Sequence, residues 1–592
     1  MRIVHRVAAL CCLVVYLVNA QVDETEVKAL PRGPSAEELQ LLPSYVPPRG
    51  TSLIAPPRPV RAMAEFEEME GMIVRWAYNT QNLLLSQIVD AAQDEGKVWI
   101  LVRPSTSDST NIKTYLASRS IPLTNIEFVS VNTNTIWCRD YGPWTVYDSV
   151  TDSIGIVDFR YNRPRPLDDV VPEFLAQRWN LPVYQTLQMP DSLVHTGGNF
   201  MVDGFETGFS SKLIQNENPM HTPAQIDTIL LKYCGLQQYV KMETLLYDGI
   251  HHIDMHMKLL DEETILMGEY PPGVSDYQQI ENTVSYLRTL NNRYGRPYRI
   301  IRMPMPADGA GRYPPQSNYL TYTNSLIVNK TVLVPIYGLP GDNAALQIYR
   351  DAMPGYRVIG YDCNAIISQL GAIHCIAKEV GVREPVHIAH ARLWEAADTL
   401  AFYQIEARIK VRSGVDSAFV WWRADTLLPF NRITMTDSSG VFVAHIPQQA
   451  VGTHVAYYID VAANSQRRVS KPLVGAAGAF VFEVVPSTPT AVRTDRQPHE
   501  FSLSQNYPNP FNPSTSIRFS LSSQVRVGVR SQLVSLKVYN LLGQMVSTLV
   551  NEELEPGNYE VSFDASGIAS GVYLYRLEAT GFTQSRRMVV LK

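Results

Sequence analysis

The chain has 592 residues, 45% of them hydrophobic and 18% charged, with a formal net charge of -6. That composition belongs to folded globular protein and excludes a largely disordered chain, while the slight acidity excludes general affinity for nucleic acid or anionic membranes, so any charge recognition is local. The length exceeds the roughly 250–300 residues at which a single core stops growing and predicts roughly two to four domains.

The first twenty residues read as a secretory signal: Arg2 and Arg6, then the apolar stretch Val7 to Val18, then the small-residue cleavage site Val18-Asn19-Ala20. Removing residues 1–20 takes Cys11 and Cys12 with it and leaves Cys138, Cys234, Cys363 and Cys375, too few for a disulfide scaffold of this size, so at least one is available as a thiol for chemistry. Residues 21–60 carry Pro31, Pro34, Pro43, Pro47, Pro48, Pro56, Pro57 and Pro59 and read as a leader or propeptide without assigned structure.

From about 61 to 384 one pattern recurs: an apolar strand, a polar loop, an amphipathic helix, another strand. The helix-then-strand pieces fall at 80–103, 168–187, 223–243, 277–304 and 343–361. The fourth has Ser275-Asp276 as its cap and Tyr277, Ile280, Val284 and Leu287 on one face; the third opens on Thr222-Pro223 and stops at Gly235. Such units cannot bury their own apolar faces, and five of them closing on each other predict an α/β domain built as a five-bladed propeller. A doubly wound parallel sheet is the competing arrangement.

After about 385, Ile405, Ala407, Ile409 and Val411 alternate with Glu406, Arg408, Lys410 and Arg412, the period of a half-buried strand. Further strands are expected near 418–422, 441–446, 454–460 and 479–485, and an immunoglobulin-like β-sandwich over 385–485 follows. Residues 486–500 read as a linker, and 501–592, punctuated by Asn509-Pro510, Pro556-Gly557 and Ser570-Gly571, as a separate all-β domain.

Four places concentrate chemistry. In Trp137-Cys138-Arg139-Asp140-Tyr141-Gly142-Pro143-Trp144 an acid sits between aromatics, which suits a planar cation: the aromatics stack on it and Asp140 accepts paired hydrogen bonds. His195-Thr196-Gly197-Gly198-Asn199, backed by Asp203-Gly204, permits close backbone approach to a ligand. In His251-His252-Ile253-Asp254-Met255-His256, a strand would aim His252 and Asp254 into one cleft. Gly371-Ala372-Ile373-His374-Cys375 leads a glycine loop to a thiol, a nucleophile at neutral pH once ionised.

In order and in local sequence these motifs resemble the guanidino-modifying (pentein) superfamily, and within it the agmatine deiminase and Porphyromonas-type peptidylarginine deiminase branch, over roughly 60–380. The resemblance implies a five-bladed propeller and a hydrolase acting on C–N bonds of linear amidines. It further implies Cys375 as nucleophile, Asp140 and Asp254 as clamps on the guanidinium, and His252 as general acid/base, through a covalent thiouronium that water resolves to citrulline. No metal or other cofactor is required. Asn324, in Tyr322-Thr323-Asn324-Ser325, matches a family position that places the substrate, with Asn318 and Asn329 as neighbours in sequence.

Asp158-Phe159-Arg160-Tyr161-Asn162-Arg163-Pro164-Arg165 sets arginines around a proline. Beside a site already built for a cation, they would repel a diamine-like guanidine and attract a carboxylate. The same run in the peptidylarginine branch implies that Arg163 and Arg165, with Trp137 nearby, bind peptide substrate, with arginine at a chain's C-terminus preferred. His195 stands where agmatine deiminases have Glu, and Leu370 where the family often has Gly. The last domain, with Gln505-Asn506-Tyr507-Pro508-Asn509-Pro510, Tyr539-Asn540-Leu541-Leu542-Gly543 and Gly571-Val572-Tyr573-Leu574-Tyr575, resembles type A sorting domains of type IX secretion, which implies export to the cell surface or medium through outer-membrane machinery. After the signal no segment reads as able to cross a bilayer, so no transmembrane span is expected in the mature chain. The rival readings are an agmatine deiminase-like hydrolase of a small guanidine, a zinc hydrolase using His252, Asp254 and His256, and a non-catalytic surface protein that binds arginine-bearing partners.

Overall fold

The structure, a computed structural model, describes residues 30–46, 55–398, 400–486, 501–522, 532–555, 557–579 and 582–591. The expected signal, residues 1–20, and nearly all of the expected linker lie outside them. The chain divides into two compact units, Met1–Pro385 and Val386–Lys592.

Among its described residues the first unit is mixed α/β and contains five sheets. In each, a short strand runs antiparallel to a second strand, a helix follows, and a third strand returns parallel to the second. Met257–Leu259, Thr264–Glu269, helix Tyr277–Leu287 and Arg299–Pro304 show the unit in full. Leu326–Val328, Thr331–Ile336, helix Asp342–Ala352 and Arg357–Asp362 repeat it, as do Met201–Val202, Thr207–Ser211, helix Pro223–Cys234 and Gln238–Met242. Trp144–Asp148, Ile154–Asp158, helix Val171–Trp179 and Val183–Gln185 form a fourth copy. The fifth is assembled from both ends of the unit: Ala377–Gly381 pairs antiparallel with Met69–Arg75, which leads through helix Asn82–Gln93 to the parallel strand Lys97–Val102.

All five helix-then-strand pieces read from periodicity are therefore present, and local chemistry explains their ends. Thr222 accepts the Gln225 N–H while the Gln225 side chain returns a bond to the Thr222 N–H, Pro223 occupies the first turn, and Gly235 closes the helix at φ +75°. A side chain at 235 would drive into the Val60 carbonyl, 1.8 Å from an added Cβ. In Tyr277–Leu287 the buried residues Ile280, Val284 and Leu287 are spaced for one face, each stabilising by about 1.5–3 kcal/mol on leaving water. Its expected cap is different: the Asp276 carboxylate accepts from Tyr319 Oη at 2.5 Å and the Leu246 N–H at 3.2 Å, so it ties the helix to two loops instead of capping it.

In the second unit, His387–Ala389, Phe402–Lys410, Val441–Pro447 and Thr436–Ser438 form one sheet, and strands including Val415–Arg423, His454–Ala463 and Phe480–Val485 form another. Tyr403, Ile405 and Ala407 of the first share an apolar cluster with Val420, Ile459 and Phe482 of the second. Alternate residues along Phe402–Lys410 are buried, as the period-two pattern requires. Residues 501–591 add a three-stranded and a four-stranded sheet around their own cluster, which includes Phe519, Leu536 and Tyr575. Among the described residues no helix is long and apolar enough to cross a membrane.

Candidate active site

Each of the five repeats presents a polar group from the same place, the turn just before its first strand. Asp140 lies in the helical turn Cys138–Tyr141 before Trp144–Asp148, and Gly198 in the 3-10 turn Gly197–Asn199 before Met201–Val202. Asp254 lies in the turn Ile253–Met255 before Met257–Leu259, Asn324 before Leu326–Val328, and Cys375 in the turn His374–Ile376 before Ala377–Gly381. The motifs far apart in sequence thus converge because the fold repeats. His252 and Asp254 do not lie on the strand expected for them; a tight turn brings both to the same point.

That point is occupied by Arg32, from the Pro-rich leader, which is 0% exposed. Its Nε donates to Asp140 Oδ2 at 2.8 Å and its Nη2 to Asp140 Oδ1 at 2.9 Å, a two-pronged pair. Nη2 also donates to Asp254 Oδ2 at 3.0 Å, and Nη1 to Asp254 Oδ1 at 3.2 Å and to Cys375 Sγ at 2.6 Å. A guanidinium has five N–H donors, and all are used. Gly198 N–H donates to Asp140 Oδ1 at 3.1 Å, and a Cβ on Gly198 would fall 1.6 Å from Arg32 Nη2, so only glycine leaves room for the cation.

Around Cys375, the Ala372 N–H approaches Sγ at 3.4 Å and Asn324 Oδ1 lies 3.3 Å away. Asn324 Oδ1 also accepts from the His374 N–H at 3.1 Å. Asn329 instead serves a hairpin, bonding the Met69 main chain, and Asn318 is exposed. His252 Nε2 faces Thr196 Oγ1 at 3.1 Å and Nδ1 faces Asp140 Oδ1 at 3.6 Å. His374 holds Asp254 from behind, with Nδ1 2.9 Å from Asp254 Oδ2 and Nε2 2.7 Å from Glu65 Oε2. Glu65 in turn accepts from Lys258 at 2.5 Å. Arg139 pairs with Glu379 at 2.5 Å, so Asp140 is left to Arg32.

Burial opposes the charged form of both acids, but the Arg32 guanidinium together with His252 at Asp140, and with His374 and His252 at Asp254, holds both below the usual carboxylate range. Burial pushes the Cys375 thiol well up; Arg32 counters this, while Asp254 and Asp140 add to it. Burial, helped by Arg32, pushes His252 down to about 3, which keeps its imidazole neutral.

The leader's main chain is held as closely as its side chain. Trp137 Nε1 donates to the Leu30 carbonyl at 2.9 Å, Arg165 Nη2 to the Pro31 and Gly33 carbonyls at 2.8 and 3.1 Å, and Arg163 Nε to the Arg32 carbonyl at 3.4 Å. The Arg32 N–H donates to the Gln369 carbonyl at 3.1 Å. Arg165 also grips the Glu38 carboxylate through Nε at 2.7 Å and Nη2 at 3.0 Å. Trp137 therefore meets the peptide through its N–H, not by the stacking expected of it. Arg163 and Arg165 meet carbonyls and a side-chain carboxylate here, where a terminal carboxylate was expected.

His195 is a core residue, packed between Phe159 and Phe200 and pushed down to about 3 by burial. Leu370 adopts φ +69°, the left-handed conformation that glycine takes more cheaply. Among the described residues no three of His, Cys, Asp and Glu are arranged to hold a metal ion, so His252, Asp254 and His256 do not form the zinc site of the rival reading. The four described cysteines are buried free thiols. Arg32, Thr196, Glu65 and His374 are the site residues that sequence reasoning missed.

Residues 61–380 match the family profile described as Porphyromonas-type peptidyl-arginine deiminase, and residues 505–591 match the secretion system C-terminal sorting domain. A Selenomonas ruminantium protein named "Putative agmatine deiminase" is 23% identical over 383 residues, 59% of this chain and 97% of the relative. A Shewanella baltica (strain OS195) protein of the same name is 25% identical over 311 residues, 45% of this chain and 80% of the relative. Among solved structures, an arginine deiminase from Porphyromonas gingivalis, labelled putative, aligns with a TM-score of 0.47 at 22% identity, covering 54% of this chain and 98% of its own. The C. jejuni agmatine deiminase aligns with a TM-score of 0.46 at 22% identity, covering 55% and 96%.

Proposed function

Because the chain belongs to the Porphyromonas-type peptidyl-arginine deiminase family, we propose that it hydrolyses the guanidinium of peptide-borne arginine to citrulline and ammonia. The observation that carries this reading is Arg32: an arginine inside a peptide, its guanidinium against Cys375 Sγ and its main chain held on both sides by Trp137, Gln369, Arg163 and Arg165. Main-chain contacts do not depend on neighbouring side chains, so they suit recognition of arginine in many peptides. A small diamine-like guanidine has no carbonyl to meet them and brings a second cation toward two arginines.

Asp140 and Asp254 hold the flat cation with its carbon presented to Cys375 Sγ. The bound cation favours the thiolate against burial, and neutral His252 takes the thiol proton. Sγ adds to the guanidinium carbon, one terminal C–N bond breaks, and ammonia leaves with that proton, giving a covalent thiouronium. Water, losing a proton to His252, then adds to the same carbon; the C–S bond breaks, and citrulline and the thiol are released. Asn324 positions Sγ. No step requires a metal or other cofactor.

The carboxylate of a C-terminal arginine seated as Arg32 would lie where the Arg32 carbonyl meets Arg163, and Glu38 shows the neighbouring Arg165 able to take such a group, which makes C-terminal arginine the best substrate and internal arginine a slower one. The five repeated sheets support a ring of five blades, with the five pre-strand turns meeting at its centre. The sorting-domain match, with the signal sequence expected at residues 1–20, supports an enzyme exported to the cell surface or medium.

The test is mass spectrometry of peptides with C-terminal, internal and amidated arginine, and of agmatine, after incubation with the chain and with its Cys375→Ser variant. Conversion shows as a rise of roughly 1 Da where an imine becomes a carbonyl. Peptides should convert, the free C-terminal arginine fastest, agmatine slowest, and nothing with the serine variant. Agmatine converted as fast as the peptides, or activity surviving in Cys375→Ser, defeats the proposal.

A further inference from the structure

We propose that Arg32 is this chain's own first substrate: the leader fills the active site until Cys375 converts Arg32, in the same molecule, to citrulline. The inference rests on the deiminase reading above and goes beyond it by assigning a modification site and a latent state.

An arginine that merely braced the fold would have no reason to place a terminal nitrogen 2.6 Å from the Cys375 thiol, which itself lies 3.7 Å from Asp254. The Arg32 guanidinium takes both carboxylates, Sγ and the space kept open by Gly198 at once, while the Trp137, Arg163 and Arg165 side chains bond its own carbonyl and those of Leu30, Pro31 and Gly33. The segment after it fastens this arrangement. Ser35 and Glu38 form a reciprocal capping box on helix Ala36–Leu41, and the same Glu38 is held by Arg165. Tyr45 Oη donates to Asp169 at 3.4 Å further along. While Arg32 stays, no added peptide can reach the acids or the thiol.

Its chemistry removes it. Cys375 Sγ bonds to the Arg32 guanidinium carbon, a terminal C–N bond breaks and ammonia departs with the thiol proton; water, giving one proton to His252 and one to the sulfur, then adds to that carbon as the C–S bond breaks, leaving a neutral ureido group on residue 32 and a thiol on 375. The product has lost the positive charge that both acids were paired with and carries an oxygen where a nitrogen donated. Two buried carboxylates then face a neutral group, which favours withdrawal of the leader and opening of the site.

Tandem mass spectrometry of residue 32 in the full chain and in full-length Cys375→Ser, produced side by side, tests this. Citrulline is expected at 32 in the first and arginine in the second, and excess active chain should leave Arg32 of the serine variant unchanged, because that residue is buried and reacts only within its own molecule. Arg32→Lys, a cation that cannot be deiminated, should turn over added arginine peptide at least about tenfold more slowly than Arg32→Gln, which is neutral like citrulline. Arginine retained at 32 in a chain that citrullinates added peptide overturns the inference while leaving the deiminase reading intact, as does equal activity of the Lys and Gln variants. Citrulline formed neither in added peptide nor at residue 32 overturns both.

Discussion

Replacing Arg165 by Leu separates recognition of the peptide from chemistry on the guanidinium. Arg165 reaches the Pro31 and Gly33 carbonyls and Glu38 but makes no bond to the Arg32 guanidinium. A peptide substrate seated as the leader is seated loses two hydrogen bonds from a charged donor. At about 1.5 kcal/mol each, the low end for such bonds, the loss is about 3 kcal/mol. At about 1.4 kcal/mol per decade, kcat/KM for an internal-arginine peptide should fall ~150-fold. Agmatine offers no carbonyls and is repelled by Arg165, so its kcat/KM should hold or rise. The assay is ammonia release from each substrate well below KM, in a chain also carrying Arg32→Gln so that the leader does not compete. Equal losses for peptide and agmatine at an unchanged melting temperature, or no loss for the peptide, refute the assignment of Arg165 to the substrate main chain.

Asp254→Asn removes the charge behind two of the guanidinium bonds, and breaking a buried pair costs about 3–5 kcal/mol; kcat/KM for peptide and agmatine should fall together by about two to four orders of magnitude in steady-state kinetics. Gly198→Ala puts a methyl where Arg32 Nη2 sits and should lower kcat/KM by more than about a hundredfold, read by ammonia release, while the protein remains folded by circular dichroism. His195 supplies a pH test. The unfolded chain takes up its proton near pH 6.5, whereas the native residue resists until about 3, so in between the unfolded state binds more protons and His195 costs stability as pH falls. Whatever His195→Gln loses at pH 7, its deficit relative to the parent should shrink by about 2 kcal/mol at pH 5 in urea denaturation; a constant deficit contradicts the buried neutral imidazole.

Much of this was legible in the chain because it depends on local period or local chemistry. Ile280, Val284 and Leu287 declare a helix face by spacing alone, and Thr222-Pro223 with Gly235 declares both ends of another. Asp140 and Cys375 stand out as reactive types beside aromatics and glycine, and Asp254 among histidines. What was hidden depends on contacts distant in sequence. The partners of Arg32 lie 108, 222 and 343 residues away, and nothing in Pro31-Arg32-Gly33-Pro34 encodes them. The one local clue was Ser35 followed by Glu38, a helix-start signal inside a segment otherwise read as unstructured. Asp276 misled for a related reason: as a residue type it suits a helix cap, but the distant Tyr319 hydroxyl claims its carboxylate. His252 and Asp254 were assigned to one face by strand alternation, and they meet by way of a turn.

The pairing of Ala377–Gly381 with Met69–Arg75 sets the order of events during synthesis. The sulfur that would do the chemistry sits two residues before the strand that joins the end of the unit to its beginning. A nascent chain that has emerged only as far as Asn324 already holds both acids, the imidazole and the leader, but no nucleophile. On the function proposed above, the last turn to be made carries the sulfur, so the strand that fastens the loop of chain is also the one that brings Cys375 to the acids.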